Sequence, residues 1–437
     1  MSKTYFIRTY GCQMNEHDSE RIAGLLETNG YVRAHDAETA DLVLFNTCAI
    51  RENADKKLYG TLGQMKRMKD ARPELRIAVG GCQAQKDKAF VLEKAPWVDV
   101  AFGTFSVAEL PRLLIEREET GVPAFEFAEQ TETFPSALPA RRDDPFHAWV
   151  SVSVGCDNAC TFCIVPFVRG QQVSRRLGDV LDEVQRLADD GVVEVTLLGQ
   201  NVNTYGRDLD GRPLFAELLR TLDEIDGLRR VRFTSPHPHD FTPDVVDAMA
   251  SSRVVCEHIH FPLQSGSDRV LKRMRRSYRS ARYLDILSSI RAAIPDIAAS
   301  TDVIVGFPGE TDEDFDETLR LVEEARFDSA YTFKYSIRPN TEAASMPDQV
   351  APEIVSERYD RLVGLQERIA LEKNREMVGR RVEVLVEGSS KKDVARVAAR
   401  TRTNKIVHLA AGQLATGTFV DVLIGDAHPH HLDGVLV

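Results

Sequence analysis

Three cysteines that lie within eight residues give the strongest chemical signal in the sequence: Cys156, Cys160 and Cys163. Thiolates are soft ligands that bind zinc or iron–sulfur clusters. Zinc loops usually combine one Cys-x-x-Cys pair with a second pair, which this sequence lacks. Three thiolates on a 4Fe–4S cluster leave one iron open to a substrate. We therefore predict a catalytic iron–sulfur site here, with a structural zinc loop and inert buried thiols as the alternatives.

Three further cysteines occur at equivalent points of a repeating strand–helix pattern. Cys12, Cys48 and Cys82 each closely follow a short apolar run. The carboxyl ends of parallel strands share one edge of a sheet, so we predict that these cysteines converge in space. Buried strand-end thiols are the alternative. A disulfide framework is a poor interpretation, because the seven cysteines are odd in number and the chain lacks an export signal.

The elements that must position these cysteines fall into three regions. Up to Thr104 strands alternate with helices, which predicts an open parallel α/β sheet. From His147 six apolar runs alternate with helical patterns, which predicts a partial or complete (β/α)6 barrel with its chemistry at the strand carboxyl ends. After a charged helix, the tail alternates in strand fashion and predicts a small all-β unit. The predicted domains are residues 1–119, 145–373 and 376–437, and the predicted linker is 120–144.

Composition limits the partners of the protein. The 437 residues suggest about three domains, and 55 Lys and Arg against 67 Asp and Glu give a net charge of −12. A uniformly basic nucleic-acid binder is therefore excluded, and any RNA contact must come from a local patch. The sequence shows neither a signal-peptide pattern nor an apolar run of the roughly 18 residues that a membrane span needs. We predict a cytoplasmic protein without a membrane partner.

Gly155–Gly170 resembles the cysteine loop of radical S-adenosylmethionine (SAM) enzymes. Together with the segments around the other three cysteines, it is similar to the radical SAM methylthiotransferases. The resemblance covers essentially the whole chain, including a C-terminal small β-barrel of the TRAM type. Gln13-Met14-Asn15 and Arg51-Glu52-Asn53-Ala54 fit the branch that modifies isopentenylated adenosine in tRNA. The matching segments are Tyr10-Gly11-Cys12-Gln13-Met14-Asn15, Asn46-Thr47-Cys48-Ala49-Ile50-Arg51-Glu52-Asn53-Ala54 and Gly80-Gly81-Cys82-Gln83-Ala84-Gln85.

The resemblance implies two 4Fe–4S clusters and SAM as cofactors. Cys156, Cys160 and Cys163 would hold the cluster that chelates and cleaves SAM, whereas Cys12, Cys48 and Cys82 would hold an auxiliary cluster. Asp302 stands where the family usually has a glycine, and Gly-Gln-Asn is also an ordinary turn sequence. The SAM-binding residues that the resemblance implies are Phe162, Gly199, Gln200, Asn201, Gln264, Ser265 and Ile304.

The implied reaction converts isopentenylated adenosine beside the tRNA anticodon to its 2-methylthio derivative and consumes two SAM. The implied partners are tRNA carrying that base and a low-potential electron donor such as flavodoxin or ferredoxin. Two other functions stay open. The enzyme could modify a ribosomal-protein side chain, or the chain could be an iron–sulfur RNA-binding sensor without turnover.

Two basic segments are candidates for the RNA contact. The run Arg269–Arg282 contains no acidic residue, and its Tyr278 could stack on a base. A solvated helix face is the alternative. In the tail, basic residues resemble the RNA-gripping positions of TRAM domains. The predicted RNA-binding residues are Arg275, Arg276, Arg279, Arg400, Arg402 and Lys405, with Lys391 and Lys392 also considered.

Two remaining features have a structural interpretation. Cys256 follows an apolar run and is predicted to be a core thiol. His428, His430 and His431 suggest a metal site, but scattered surface histidines are much more common than ligands.

Overall fold

The computed structural model describes residues 2–49, 52–129, 138–390, 395–410, 412 and 414–437. Arg51, Lys391 and Lys392 lie outside the described residues, as does part of the predicted linker. The described chain forms an amino-terminal parallel sheet, a central parallel barrel and a carboxyl-terminal closed barrel. This is the predicted fold class.

The amino-terminal sheet contains six parallel strands in the order β2-β1-β3-β4-β5-β6. All six residues of β3 are buried because helices cover both faces of the sheet. Val43 and Phe45 pack into one core, whereas Leu42 and Leu44 pack into the other. The strands are β1 (Thr4–Thr9), β2 (Val32–Arg33), β3 (Leu42–Thr47), β4 (Arg76–Gly81), β5 (Val100–Phe102) and β6 (Ala124–Glu126).

Helices connect these strands by parallel crossovers, as the repeating pattern predicted. β6 lies within the segment that the sequence indicated as a linker, and it pairs with β5 at the edge of the sheet. The helices are α1 (Gln13–Thr28), α2 (Glu52–Ala71), α3 (Cys82–Asp87), α4 (Phe90–Lys94) and α5 (Leu110–Thr120), preceded by a 3-10 turn at Val107–Glu109.

The central barrel contains six parallel strands, one for each predicted apolar run. They form two three-stranded sheets, with the orders β11-β10-β7 and β12-β13-β14. A bridge between Val231 and Val255 joins the two sheets. Within the described residues no pairing joins β14 to β7, so the barrel is partial. The strands are β7 (His147–Ser151), β10 (Glu194–Leu198), β11 (Arg230–Phe233), β12 (His258–His260), β13 (Ala298–Val305) and β14 (Ser329–Lys334), with a small antiparallel pair β8 (Ser153–Val154) and β9 (Val173–Ser174).

The helices of this region cover the outside of the barrel and bury its largest apolar core. Because side chains alternate along a strand, outward residues such as Ile259 and Val303 enter that core and their neighbours face the barrel interior. The helices are α6 (Val165–Arg169), α7 (Leu177–Asp189), α8 (Arg207–Asp210), α9 (Phe215–Leu222), α10 (Pro243–Ser251), α11 (Asp268–Arg273), α12 (Ser280–Ala293), α13 (Asp312–Ala325) and α14 (Pro352–Arg375). Short 3-10 turns occupy Val202–Thr204, Pro238–Asp240 and Glu342–Ser345.

The carboxyl-terminal region is a closed five-stranded barrel in the order β15-β16-β17-β19-β18. Small and β-branched side chains fill its interior, including Val384, Ala399 and Val407. The strands are β15 (Arg381–Ser389), β16 (Arg396–Thr401), β17 (Ile406–Ala410), β18 (Phe419–Ala427) and β19 (Leu432–Leu436). Among the helices of the described chain, none has the length and apolar character of a membrane span.

The closed barrel covers the amino ends of the central strands. Arg230, which begins β11, donates to the carbonyl of Arg400 at 2.8 Å. Arg232 donates to the carbonyls of Thr401 and Arg402, each at 2.9 Å. Both guanidiniums are buried. The small barrel therefore lies at the opposite end of the central barrel from the loops that follow its strands.

Candidate active site

Cys12, Cys48 and Cys82 converge at the carboxyl edge of the amino-terminal sheet, as their positions after strands predicted. Cys12 precedes α1, Cys48 directly follows β3, and Cys82 begins α3 directly after β4. Gly11 has a φ of +128°, and a Cβ there would lie 2.8 Å from the Cys48 Cβ. Asn15 is buried and donates to the Thr47 carbonyl at 2.8 Å, which fixes α1 against the end of β3.

The thiols of this triad interact with one another and with one cation from the central region. Burial raises the pKa of Cys82 to about 11, nearby Cys48 and Cys12 raise it further, and Arg169 opposes the shift. Arg169 belongs to α6 and donates to Asp18 Oδ2 of α1 at 2.7 Å. The guanidinium therefore joins the central barrel to the amino-terminal triad.

Cys156, Cys160 and Cys163 lie in the loop between β8 and α6, beyond the carboxyl end of β7. The Cys156 N–H donates to the Gly170 carbonyl and the Cys163 N–H to the Cys160 carbonyl, each at 3.0 Å. Burial raises the pKa of Cys163 to about 12, and the two neighbouring cysteines raise it further. Burial likewise raises the pKa of Cys156.

Helix α6 connects the two triads. It begins two residues after Cys163, and Ile164 and Val168 pack in one apolar cluster with Cys82 and Ala49. Gly170 follows the end of the helix, and its φ of +67° turns the chain back toward Cys156. The same short segment therefore contacts both sets of cysteines.

Each triad offers three thiols, a donor set that can hold an iron–sulfur cluster. All seven cysteines lie within the described chain and are present as thiols.

Arg276 is directly connected to the second triad. Its guanidinium donates to the Cys160 Sγ at 3.3 Å and to the Tyr278 hydroxyl at 3.1 Å. Burial alone would lower the pKa of Arg276, but Tyr278 and Cys160 outweigh that effect, so the group stays charged. The prediction that Arg276 contacts RNA phosphate is wrong, because the side chain is buried beside the cysteine loop.

Gly199, Gln200 and Asn201 follow β10 and reach the same end of the barrel. The Gln200 side-chain oxygen accepts a hydrogen bond from the Gly155 N–H, one residue before Cys156. A Cβ at Gly199 would lie 2.8 Å from the Ser153 hydroxyl, so a larger residue there would require Ser153 to move. The Asn201 amide donates to Asp240 at 3.1 Å, and within the described chain its buried Oδ1 has no hydrogen-bond partner.

Phe162, which belongs to the cysteine loop, lies near Ile304 of β13, and Gln264 pairs with the same strand. Gln264 adopts φ +70° and links the end of β12 to β13, because its carbonyl accepts from the Ile304 N–H at 2.9 Å. Phe162 and Ile304 pack against one apolar cluster that contains Phe307. Ser265 differs from the prediction of a pocket-lining residue: it is fully buried, and its hydroxyl lies 3.3 Å from that of Thr318 on α13. It holds the loop in place.

Other members of the basic run also make contacts within the protein. Arg269 pairs with Asp314, and Arg273 donates to the Pro308 carbonyl at 3.0 Å. Arg275 and Arg279 are exposed; Arg275 pairs with Glu342 at 2.8 Å, and Arg279 donates to backbone carbonyls. The run is thus divided between α11, a turn and α12, instead of forming one continuous basic helix face.

The predicted RNA-binding residues of the tail need a similar correction. Arg402 pairs with Glu257 at 2.7 Å, and Lys405 pairs with Asp328 at 2.7 Å; both contacts belong to the interface with the central barrel. Arg400 forms a two-point ion pair with Glu387 in its own barrel. The sequence showed their charge, but the acidic partners of Arg402 and Lys405 are distant in the chain and could not be identified from spacing.

Three functional candidates were not identified from the sequence: Asp18, Arg169 and His237. Burial and then the charge of Arg276 lower the pKa of His237 to about 3, so this imidazole is neutral at physiological pH. Arg169 has a sequence signal, because it follows Cys163 within the same loop segment. Asp18 and His237 have no comparable motif, and only the folded arrangement brings them to the site.

Comparison with known families agrees with the three regions of the fold. Residues 4–103 match the family described as uncharacterized protein family UPF0004, residues 150–322 match the radical SAM superfamily, and residues 375–437 match the TRAM domain. The radical SAM match contains the second cysteine triad, and radical SAM proteins use SAM with a 4Fe–4S cluster. The UPF0004 match contains the first triad.

Sequence identity to curated relatives identifies the family of this chain. The tRNA-2-methylthio-N(6)-dimethylallyladenosine synthase of Nocardia farcinica is 58% identical and covers 99% of this chain and 88% of that protein. The synthase of the same name from Acidothermus cellulolyticus is 58% identical over 98% of this chain and 87% of its own length. The chain belongs to this family. It is therefore a tRNA-modifying enzyme of the methylthiotransferase class, and the predicted resemblance is confirmed.

Solved structures confirm the fold at much lower identity. The radical SAM methyltransferase TsrM from Kitasatospora setae is 15% identical, with a TM-score of 0.57 over 79% of this chain and 77% of that chain. The cobalamin-dependent radical enzyme OxsB is 14% identical, with a TM-score of 0.51 over 85% of this chain and 56% of that chain. These similarities concern the arrangement of sheets and helices.

Proposed function

We propose that the protein converts isopentenylated adenosine in tRNA to its 2-methylthio derivative, using SAM and two 4Fe–4S clusters. The observation that supports this proposal is the presence of two separate cysteine triads. One short helix, α6, lies between them and contacts both. The names of the curated relatives indicate the substrate. We propose the predicted domain limits 145–373 and 376–437, and we extend the first domain from residue 119 to residue 126 because β6 pairs with β5.

The two triads have different roles in this proposal. Cys156, Cys160 and Cys163 would hold the cluster that binds SAM, and Cys12, Cys48 and Cys82 would hold the auxiliary cluster. When bound, these groups supply reductive cleavage of SAM and the sulfur and methyl group of the product. The protein residues bind and orient these groups and exclude water.

The residues at the mouth of the barrel would hold SAM. The unpaired Oδ1 of Asn201 is buried and can accept a hydrogen bond from an amino group. Gln200 fixes the start of the cysteine loop through the Gly155 N–H. Phe162 and Ile304 would provide apolar contact to an adenine ring on the opposite side. Gln264 and Gly199 shape the backbone around these groups.

The inner face of the barrel offers a polar and aromatic surface for the adenosine. His260 lies 3.3 Å from Asp302 and packs edge-on against Tyr331, whose side chain is 60% exposed. Met14, two residues after Cys12, lies 3.8 Å from the Ser151 hydroxyl at the end of β7. A base that leaves its stack in the anticodon loop could therefore enter beneath the amino-terminal triad.

Flavodoxin or ferredoxin as electron donor and the cytoplasmic location remain predictions from the sequence. Arg275 and Arg279 remain candidate RNA contacts, because both are exposed near the mouth of the barrel. Two alternatives differ from this proposal. An enzyme that modifies a ribosomal protein would have another substrate, and an iron–sulfur RNA-binding sensor would have no turnover.

The test is an anaerobic reaction with the reconstituted full-length protein, SAM, dithionite and tRNA that carries isopentenyladenosine. We expect mass spectrometry of the tRNA hydrolysate to show 2-methylthio-isopentenyladenosine, and the same tRNA without the isopentenyl group should give little product. SAM cleavage with product on a ribosomal protein instead would overturn the substrate. Absence of SAM cleavage in the cluster-loaded protein would support the sensor.

A further inference from the structure

The turn between β18 and β19 gathers histidine and carboxylate side chains that the proposed reaction does not use. His428 Nε2 lies 3.4 Å from Asp433 Oδ2, and His431 Nε2 lies 4.0 Å from Asp433 Oδ1. Within the described chain, these three residues form the group whose ligand atoms all lie within 4.8 Å of one another. We propose that His428, His431 and Asp433 form a binding site for a divalent metal ion of the zinc class.

The donor set indicates which metal would bind. Imidazole nitrogens favour zinc, nickel and copper, whereas calcium and magnesium favour sites built from oxygen. Zinc bonds to nitrogen or carboxylate oxygen of about 2.0–2.1 Å place tetrahedral donors roughly 3.4 Å apart. The 3.4 Å between His428 Nε2 and Asp433 Oδ2 already matches this spacing, whereas His431 Nε2, 4.0 Å from the other oxygen of Asp433, must turn toward Oδ2 to bind the same ion. Asp426 Oδ2, 3.8 Å from His428 Nε2, is a further oxygen within reach.

The surrounding structure orients these ligands. The His428 N–H donates to the His431 carbonyl at 2.9 Å and closes the turn. The two imidazoles stack 4.3 Å apart, so one ring must rotate for both nitrogens to face the same ion. His408 on β17 packs edge-on against His431 at 5.0 Å. Arg396 donates to Asp433 Oδ1 and leaves Oδ2 facing His428. Hydrogen bonds to the outer oxygen of a ligand carboxylate are a common feature of metal sites.

The position of the turn gives the metal a structural role. Asn374, at the end of α14, donates to the His428 carbonyl at 2.7 Å and accepts from Lys405 Nζ at 2.8 Å. Lys405 in turn pairs with Asp328 of the central barrel. A metal that fixes the turn would therefore stiffen the contact between the small barrel and α14.

The chain provides a matched control in the same turn. His430 lies between the two proposed ligands in sequence, but it points to Glu367 at 3.5 Å and is 75% exposed. His430→Ala removes one imidazole without changing the proposed donor set. His428→Ala/His431→Ala removes two ligands that are partly exposed, so the fold and the iron content should be preserved. Asp433→Asn weakens the third ligand while keeping its shape.

The experiment is equilibrium dialysis of the anaerobically reconstituted full-length protein against micromolar ZnCl2, with zinc and iron measured by mass spectrometry. We expect about one zinc per chain with iron unchanged, at least tenfold weaker retention in the double variant, and full retention in His430→Ala. Zinc K-edge absorption should show nitrogen and oxygen ligands near 2.0 Å. Equal retention in the double variant, sulfur ligands near 2.3 Å, or zinc that displaces iron would overturn the proposal.

Discussion

Arg276 is the residue that most changes the chemistry expected at the cysteine loop. A guanidinium buried in protein needs a negative partner, because an isolated buried charge is strongly unfavourable. The groups within hydrogen-bond distance are the Cys160 sulfur and the Tyr278 hydroxyl. Tyr278 in turn donates to the Leu263 carbonyl at 2.8 Å, which holds the guanidinium in place. Arg276 is therefore a positioning residue for the loop and a source of positive charge beside it.

Replacing Arg276 by Gln should make the cluster at the second triad harder to reduce. Loss of a nearby cation disfavours the more negative reduced state, and about 1.4 kcal/mol corresponds to roughly 60 mV for one electron. We expect the midpoint potential in Arg276→Gln to fall by about that amount, with slower SAM cleavage. Redox titration followed by electron paramagnetic resonance measures the potential.

Arg275→Gln is the matched control, because Arg275 is the neighbouring residue and is exposed. It should leave the potential and the iron content unchanged. Arg276→Lys should recover part of the potential, since it keeps the charge. If Arg276→Gln has a normal potential but binds tRNA more weakly, the original RNA-contact interpretation would be the better one.

Glu20 gives a prediction for the pH dependence of stability. Burial raises the pKa of this carboxyl from 4.5 to about 8, and His17 and Arg142 are its neighbours. The folded state therefore holds a proton that the unfolded state releases, and stability is lost as the pH rises from about 4.5 through 8. Glu20→Gln should remove this loss. The Tm of the variant minus the Tm of the native protein should therefore increase by about 2 °C as the pH rises from 6 to 9. A parallel pH dependence of the two proteins would contradict this assignment.

At the scale of elements, α6 is the connection between the two triads. It places Arg169 against Asp18 and near Cys82, while Ile164 and Val168 pack against the same thiol. We expect Asp18→Asn to reduce methylthio product at least tenfold while SAM cleavage stays within about twofold, because the second triad has its own ligands. Both products are measured in the same anaerobic reaction by liquid chromatography and mass spectrometry.

Phe167→Ala provides the control on the same helix, since Phe167 is 64% exposed. Its iron content and SAM cleavage should match those of the native protein. Equal losses of SAM cleavage and product in Asp18→Asn would contradict a specific role at the amino-terminal triad and would indicate a general effect on the fold.

Most strands of the two parallel regions were accessible from the sequence because hydrophobic periodicity and strand-end turns are local signals. The order of the strands in the sheets and the edge strands β2 and β6 were not, because pairing depends on contacts between distant segments. The convergence of Cys12, Cys48 and Cys82 followed from the topology of a parallel sheet. The pairs Arg276–Cys160 and Arg402–Glu257 could not be predicted, because their members are more than a hundred residues apart. A basic run in a sequence gives charge, and burial decides whether that charge faces RNA or the protein interior.

At the scale of the whole molecule, the small barrel covers the amino ends of the central strands. Deleting it would expose the buried Arg230 and Arg232, so point variants are a sharper test of its role than truncation. Arg402→Gln removes the ion pair with Glu257 and should destabilise the protein by about 1–3 kcal/mol. The salt dependence of tRNA affinity should stay unchanged.

Arg381→Gln is the control for this prediction. Arg381 also belongs to the small barrel, but its side chain is 61% exposed and pairs with Asp421 at the surface, where an ion pair contributes little. Its Tm should therefore stay close to that of the native protein. A normal Tm in Arg402→Gln, combined with a shallower salt dependence of tRNA binding, would restore Arg402 as a phosphate contact.

The central claim is that two cysteine triads hold two clusters with separate roles. Iron analysis of the anaerobically reconstituted protein, made together with measurement of SAM cleavage and methylthio product, tests it most directly. We expect about eight irons in the native protein and about four in each triple alanine variant. The variant at Cys12, Cys48 and Cys82 should cleave SAM without forming product, and the variant at Cys156, Cys160 and Cys163 should do neither. Unchanged iron in the first variant, or saturation of the native protein by zinc alone, would contradict the claim.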